Sequence, residues 1–252
     1  MATALVRPPS PQMAEGIVTH VDRVPADGAR AARQHAAYVA AVAGAGWTIH
    51  EAPAAPELPD SAFVEDAVVV FDDLAVLARP GAGARRPEVA GVEAAVRALG
   101  LEVASIEAPG TLDGGDVLQV GRTVYAGRGG RTNGEGIRQL RAHAARRDRT
   151  VVPVPLHSVL HLKSAVTALP DSTLIGWDPA HLDTAPLATL RLVPEEAGAH
   201  VILLGGGTLL MAASAPRSAE RFDDWGFDVI TVDISEFEKL EGCVTCLSVL
   251  IP

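Results

Sequence analysis

Cysteine is scarce in this sequence, with two residues among 252, both close to the C-terminus. Two cysteines cannot form the disulfide framework of a small secreted protein, so we expect a location in the reducing cytoplasm. Residues 1–11 contain no apolar segment typical of a secretory signal. Apolar runs such as 67–71 and 201–204 are too short to span a bilayer, so we expect no membrane association.

Aromatic side chains and clustered positive charges are also few. Aromatics make up 4% of the residues and hydrophobic residues 48%, so the core must be built mainly from Val, Leu, Ile and Ala. The formal net charge is -10, and the one arginine-rich patch, residues 146–149, also contains an acid. Nucleic-acid binding requires clustered cationic side chains, so we expect no nucleic-acid partner.

Pairs of short β-type runs recur along the chain, and each pair is joined by a tight turn. The pairs are 64–71 with 74–78, 117–120 with 123–126, 165–169 with 173–175, and 201–204 with 208–211, and a last apolar run covers 244–251. Helices are predicted between them at 29–43, 88–99, 134–145 and 218–225. About five such units without a long linker favour a closed ring of ββαβ modules, in one domain spanning 1–252, over an ordinary α/β sandwich.

Cys243 and Cys246 form the pattern Cys-Val-Thr-Cys. Such a pair can be redox-active or can supply half of a zinc site. A zinc site needs two further soft ligands, and the sequence has no other cysteine, so we expect no metal here. A plain buried cysteine is the commonest outcome for a free Cys, and the local sequence favours it over a redox pair or a zinc site.

His157 and His161 have the spacing of the two histidines on a metalloprotease helix. Prolines at 153 and 155 precede them and the glutamate of that motif is missing, which argues against a metal site. A buried histidine with ordinary partners is the usual outcome for such a residue. A histidine that serves a distant cysteine is the alternative, because such partners meet in space rather than in sequence.

Acidic residues occur at two unusual places. Asp113 and Asp116 flank a Gly-Gly pair, which is typical of a turn but can also place a carboxylate at a strand edge. Asp60, Glu65 and Asp66 lie just before or inside an apolar run, where acids are rare. A buried carboxylate needs a partner, and a planar guanidinium with its fork of N–H donors is a natural one.

Taken together, these segments resemble the dimethylarginine dimethylaminohydrolases, a family of the guanidine-modifying superfamily. The matching pieces, in chain order, are 63–66, 79–81 with Arg85 and Arg86, 112–117, 131–133, 161–164, and Thr245-Cys246 with Ser248. The resemblance covers nearly the whole chain. It implies the α/β fold called the five-bladed propeller, or pentein, and hydrolysis of methylated arginine to citrulline without a cofactor or metal.

The resemblance also implies roles for individual residues. Cys246 matches the nucleophile, His161 the general acid and base, and Asp113 the carboxylate that orients the histidine. The implied substrate-binding residues are the acids Asp60, Glu65 and Asp66 at the guanidinium, Arg85 and Arg131 at the amino-acid end, Ile17 in a lid, and the Leu240 carbonyl at the ammonium group.

Other functions remain open at this level. Arginine deiminases of the same superfamily carry an acid two residues after the catalytic histidine, where this chain has Lys163, which favours a methylated small-molecule substrate. The remaining alternatives are another guanidine substrate, a non-catalytic binding protein, and a thiol-redox protein that uses Cys243 and Cys246. A homodimer is expected only because dimers are the commonest assemblies.

Overall fold

Fifteen short strands and five helices make up the computed structural model, which describes residues 2–187 and 189–252. The strands are β1 Thr3–Val6, β2 Thr48–Glu51, β3 Val68–Phe71, β4 Leu74–Leu77, β5 Glu102–Ser105, β6 Val117–Val120, β7 Thr123–Arg128, β8 Thr150–Pro155, β9 Val166–Ala168, β10 Leu174–Gly176, β11 Leu190–Leu192, β12 Val201–Gly205, β13 Thr208–Ala212, β14 Asp228–Val232 and β15 Ser248–Ile251. The helices are α1 Gly28–Gly44, α2 Glu88–Ala98, α3 Gly134–Ala145, α4 Pro216–Asp224 and α5 Ser235–Glu238.

The strands form five three-stranded sheets with the same pairing pattern. In each sheet an antiparallel pair is followed by a third strand that lies parallel to the middle one, as in β3-β4-β5. The β3–β4 turn has two residues, and its first, Asp72, has a φ of 54°, as the tight hairpin turns require. A helix makes the parallel connection in four of the sheets, and a 3₁₀ helix, Pro179–His181, stands in for it before β11.

The first and last strands close the ring. β1 pairs antiparallel with β15, and Val6 lies opposite Ser248, while the other edge of β1 pairs parallel with β2. The two ends of the chain therefore complete one module together, and the prediction of a five-bladed α/β propeller is confirmed.

The core is divided into clusters that join neighbouring sheets. In one of them Val69 and Val76 belong to the same buried group as Val117 and Val124 of the next sheet. Each module thus buries its apolar face against its neighbours, as expected for a repeat that is not stable alone. Among the described residues, no helix is long and apolar enough to cross a membrane.

The predicted helices match the structure closely, and α3 has the predicted bounds. Asn133 caps α3, since its side chain accepts a hydrogen bond from the backbone N–H of Gly136 at 2.8 Å. Two predicted strands were too long, because 64–67 and 244–247 are 3₁₀ turns that precede β3 and β15. The apolar residues correctly predicted that these segments are buried. A short apolar run shows no hydrophobic periodicity, however, and so a buried turn cannot be distinguished from a strand by sequence.

A 3₁₀ turn precedes the first strand of every sheet. The five turns are Val64–Ala67, Gly114–Asp116, Leu162–Ser164, Glu196–Ala199 and Val244–Leu247. The first, second, third and last of these carry or adjoin the polar residues singled out from the sequence. The ring closure brings them together, and Thr245 donates a hydrogen bond to Glu65, 180 positions away.

Candidate active site

A small cavity lies beside three of these turns. It has a volume of about 320 Å³, including the space at its mouth. Eight of the ten residues predicted for the site line it, namely Ile17, Asp60, Asp66, Arg85, Arg131, His161, Leu240 and Cys246. Asp113 is fully buried behind His161, and Glu65 lies elsewhere.

His161 is held between two carboxylates. Its Nε2 lies 3.1 Å from Asp113 Oδ2, and its Nδ1 lies 3.7 Å from Asp66 Oδ1. Burial alone would lower the pKa of His161, but the charge of Asp66 and the hydrogen bond with Asp113 outweigh it and raise the pKa to about 9. The imidazole is therefore positively charged at neutral pH and can act as a proton donor.

The charge on His161 makes stability depend on pH. Its pKa is raised above the ordinary value, so its contribution to folding is complete below about pH 6.5 and is lost as the pH rises towards about 9. We expect the free energy of unfolding of the protein to exceed that of a His161→Gln variant most at pH 6, and the difference to shrink by pH 9. Urea unfolding at both pH values measures this, and a difference that grows with pH would contradict it.

Arg85 is buried and forms ion pairs with two carboxylates. Its Nη1 lies 2.5 Å from Asp66 Oδ2 and its Nη2 lies 2.8 Å from Glu88 Oε2, and all three side chains are at most 5% exposed. Nη2 also donates to the backbone carbonyls of Asp60 and Phe63. Burial would raise the pKa of Asp66, but the charges of His161 and Arg85 outweigh it and hold the pKa below its ordinary value.

Removing Arg85 should therefore destabilise the protein. Arg85→Met leaves Asp66 and Glu88 buried without their cation, and we expect a loss of about 3–5 kcal/mol in the free energy of unfolding. Arg97→Met is the matched control, because its ion pair with Glu93 is exposed and should be worth less than about 1 kcal/mol. Urea unfolding of both variants checks this, and equal stability of the two would contradict it.

Cys246 lies on the wall of the cavity with its sulfur close to a second thiol. The Sγ atoms of Cys243 and Cys246 are 3.2 Å apart, and the backbone N–H of Cys243 also points at Cys246 Sγ, at 3.4 Å. Contact with Cys243, burial, and the nearby charges of Glu65 and Asp66 raise the pKa of Cys246. The thiol of Cys246 is therefore protonated at neutral pH.

Glu65 lines a different space from the other predicted residues. It faces a channel between the sheets, where Lys163 Nζ donates to it at 2.5 Å and Thr245 Oγ1 at 3.1 Å. Burial outweighs the charge of Lys163 and raises the pKa of Glu65 to about 7. Lys163 lines this channel and not the small cavity. The replacement of the deiminase acid by Lys163 therefore does not by itself make room in the small cavity for a methylated nitrogen.

Two carboxylates hold the segment from 17 to 21 beside the cavity. Asp60 accepts the backbone N–H of Ile17 at 3.0 Å, which places Ile17 at the cavity as the lid alignment expected. Glu241 accepts the backbone N–H groups of Thr19 at 2.8 Å and Val21 at 3.1 Å. The segment from 17 to 21 is therefore fixed at both ends by charged acceptors.

Two buried acids outside the predicted site residues support the site, namely Glu88, which the sequence did not single out, and Asp116, which it marked only as an acid beside a turn. Glu88 binds Arg85, whereas the sequence predicts for it only the first position of a helix. Asp116 accepts the backbone N–H of Leu162 at 3.0 Å and the hydroxyl of Thr132 at 2.5 Å, and so fixes the backbone next to His161. The Gly-Gly pair between Asp113 and Asp116 was visible in the sequence, but nothing there showed that both acids are buried.

Gly115 is required by close packing against His161. A Cβ at this position would lie 2.6 Å from His161 Nδ1 and 2.7 Å from Asp66 Oδ1. We expect Gly115→Ala to displace the imidazole and to lower kcat by about 100-fold. Gly44→Ala is the control, since a Cβ there meets nothing within 4 Å and activity should be retained. Steady-state measurement of kcat for both variants tests this expectation, and full activity of Gly115→Ala would contradict the packing argument.

Asp66, Asp113 and His161 form a cluster of residue types that can ligate a metal ion. Its ligand atoms lie within 4.8 Å of one another. Arg85 lies 2.5 Å from Asp66 and Arg131 lies 3.6 Å from Asp113, so both carboxylates already face a guanidinium. The carboxylate charge is therefore already balanced by the two arginines, and His161 Nε2 is engaged with Asp113, so these three side chains are not a free set of metal ligands.

A five-module ring with a cysteine, a histidine and buried acids at one cavity is the architecture of the guanidine-modifying, or pentein, superfamily. No family model matches the chain. It is 58% identical over 248 residues to the N(G),N(G)-dimethylarginine dimethylaminohydrolase of Streptomyces coelicolor, over 98% of this chain and 95% of the relative. The chain belongs to the dimethylarginine dimethylaminohydrolase family and is a hydrolase that acts on carbon–nitrogen bonds.

More distant relatives agree in sequence and structure. The enzyme of the same name from Pseudomonas aeruginosa is 34% identical over 97% of both chains. A crystal structure of the Pseudomonas aeruginosa enzyme with citrulline superposes with a TM-score of 0.90 at 32% identity, over 99% of this chain and 98% of that one. A dimethylarginine dimethylaminohydrolase adduct with S-methyl-L-thiocitrulline has a TM-score of 0.92 at 32% identity and covers both chains fully.

Proposed function

We propose that the chain hydrolyses arginine methylated on a guanidine nitrogen, to citrulline and dimethylamine or methylamine. The observation that carries the proposal is the single cavity lined by Cys246, His161 and Asp66, in a chain 58% identical to a dimethylarginine dimethylaminohydrolase. Each of these side chains has the chemistry that one step of the reaction needs. No cofactor enters the scheme.

The substrate is held at both ends in this scheme. Asp66, whose pKa is held low, is the carboxylate that faces the guanidinium. Arg131 is the main partner for the substrate carboxylate, because Arg85 uses four of its five N–H donors on Asp66, Glu88 and two backbone carbonyls. Arg85 therefore has one Nη1 hydrogen left for the substrate.

The remaining predicted residues position these groups or close the cavity. The carbonyl of Leu240 accepts from the substrate ammonium, and Ile17 covers the bound substrate while Asp60 fixes its backbone. Glu65 does not contact the substrate in this scheme. It accepts a hydrogen bond from Thr245, the residue before the nucleophile, and so helps to position Cys246.

The covalent step begins when the substrate cation lowers the pKa of the Cys246 thiol, which loses its proton to solvent. The sulfur attacks the guanidinium carbon and a tetrahedral adduct forms. The His161 imidazolium donates its proton to the departing amine, the carbon–nitrogen bond breaks, and a thiouronium remains on Cys246. Asp113 keeps the imidazole oriented throughout.

Hydrolysis of the adduct uses the same imidazole in the opposite direction. Neutral His161 takes a proton from water, and the hydroxide attacks the carbon of the thiouronium. The carbon–sulfur bond then breaks, the oxygen that came from water passes its remaining proton to the departing sulfur, and the Cys246 thiol and neutral citrulline are left. Since His161 ends the cycle protonated, it is ready for the next leaving group.

Substrate choice is tested by comparing three compounds in one assay. Citrulline release from asymmetric dimethylarginine, monomethylarginine and arginine should show kcat/KM for the methylated compounds at least about tenfold above that for arginine, as expected for apolar contacts to the methyl groups. A control with Cys246→Ser measures background release. Equal or faster turnover of arginine would favour the deiminase alternative instead.

We also propose that the whole chain acts as one domain in the reducing cytoplasm and that it forms a homodimer. Both cysteines are free thiols, which supports the location.

The ring closure between β1 and β15 supports one domain, since neither end of the chain can be removed without opening a sheet. Light scattering of the purified chain tests the dimer, and a monomer mass would reject it.

A further inference from the structure

The contact between Cys243 and Cys246 is not used by the reaction scheme above. Cys243 is 6% exposed, and its Sγ lies 3.2 Å from Cys246 Sγ and 3.2 Å from the Thr245 hydroxyl. The two cysteines lie at the start and near the end of the same 3₁₀ turn. A sulfur–sulfur bond requires the atoms to come closer by only about 1 Å, and a spacing of three residues is that of the redox-active pairs.

Both thiols can be reached from outside by different routes. Cys246 lines the small substrate cavity, while Cys243 lines a neighbouring cavity of about 1400 Å³, including the space at its mouth. Contact with the Cys246 thiol and with the Thr245 hydroxyl outweighs burial and lowers the pKa of Cys243. The second thiol therefore has thiolate character and faces the sulfur of the first.

We propose that Cys243 is a resolving cysteine, and that a hydroperoxide converts Cys243 and Cys246 into a reversible disulfide. The proposal rests on Cys246 as the nucleophile of the proposed function and adds a modification site to it. While the disulfide is present, the sulfur that attacks the guanidinium carbon is blocked. Reduction by a thiol restores it.

The chemistry balances in two steps. The Cys246 thiol first passes its proton to the Cys243 sulfur, which lies 3.2 Å away. The Cys246 sulfur then attacks one oxygen of the hydroperoxide, the oxygen–oxygen bond breaks, and Cys246 becomes a sulfenic acid, while the leaving oxygen takes a proton and departs as water or an alcohol. The Cys243 thiolate then attacks the Cys246 sulfur, a sulfur–sulfur bond forms, and the sulfur–oxygen bond breaks to release water after protonation. Two thiols lose two electrons and two protons, which the hydroperoxide takes up.

A neighbouring resolving thiol changes the fate of the oxidised nucleophile. A sulfenic acid without a partner is oxidised further to sulfinic acid, which simple thiols do not reverse. With Cys243 in contact, formation of the disulfide competes with that second oxidation. The pair should therefore convert an irreversible loss of activity into a reversible one.

The test uses the fully reduced protein treated with hydrogen peroxide, then with a thiol-alkylating reagent, and read by mass spectrometry of the intact chain and its peptides. We expect the natural chain to lose two hydrogens, to take up no alkyl group, and to regain its full starting activity after dithiothreitol. Cys243→Ser should instead gain two oxygens on Cys246 and regain none of its own starting activity. Cys246→Ser should keep Cys243 free for alkylation after the same treatment.

Two controls keep the outcome interpretable. Cys243→Ala, with thermal unfolding of each variant, separates loss of the thiol from loss of the fold. Methylarginine turnover before oxidation tests the proposed function on its own, whereas the thiol masses do not depend on any substrate. Sulfinic acid on Cys246 at the same rate in the natural chain and in Cys243→Ser, without a disulfide, would overturn the proposal.

Discussion

Cys246→Ser is expected to lower kcat for dimethylarginine by about four orders of magnitude or more, the scale seen when a covalent nucleophile is removed. The physical reason is that a hydroxyl, unlike a thiol, is not ionised by the approach of a cation at neutral pH. The serine fits the same space, so the carboxylates and arginines around the cavity should remain in place. Citrulline release with a purified variant measures the loss.

Binding provides the control for this variant. Asp66, Arg85 and Arg131 are untouched by Cys246→Ser, so methylated arginine should still bind, as shown by calorimetry or by a shift in thermal unfolding. Turnover near the level of the natural chain would eliminate covalent catalysis at this position. Loss of both binding and turnover would show a disturbed fold rather than a missing nucleophile.

His161→Gln is expected to lower kcat for dimethylarginine by about 100- to 10,000-fold, the usual range for a general acid and base. Glutamine can retain a hydrogen bond with Asp113, but it cannot protonate the departing amine. The effect on S-methyl-L-thiocitrulline should be smaller in the first step, because a thiol leaves without a proton donor. The variant should then accumulate a covalent adduct, because the base that activates water is also missing.

His157 supplies the matched control. It is exposed, four residues before His161, and His157→Gln should leave kcat unchanged. Rapid-quench assays with both substrates, followed by the mass of the intact protein, distinguish the two steps. Equal losses in the two variants, or no selective loss with the amine leaving group, would contradict the assigned role of His161.

The clustering of the candidate site residues could largely be predicted from their order and residue type. Cys246, His161 and Asp66 stand in short segments whose order along the chain is specific, and a ring of modules brings such segments to one place. The sequence could not show that two adjacent residues of one turn face different cavities. Glu65 and Asp66 are adjacent, yet one faces the channel and the other the cavity, because successive side chains of a 3₁₀ turn point in different directions.

The supporting residues were harder to predict for a different reason. Glu88 starts a helix and Asp116 ends a turn, and both places are common for acids on a surface. Arg85 lies only three residues before Glu88, but that pair is buried because Arg85 also binds Asp66 and the backbone carbonyls of Asp60 and Phe63 from another segment. Asp116 is buried against Leu162, which is 46 positions away. A local pattern does not contain those distances. The same limit applies to the strands predicted at 64–71 and 244–251, where buried turns replace the first four residues.

The most direct test of the account is to trap the intermediate during turnover. Acid quenching of the protein with dimethylarginine in excess, followed by peptide mass spectrometry, should find the thiouronium on Cys246 alone, with none in Cys246→Ser. Citrulline formation without any adduct on Cys246, or an adduct on another residue, would contradict the claim that this sulfur attacks the guanidinium carbon.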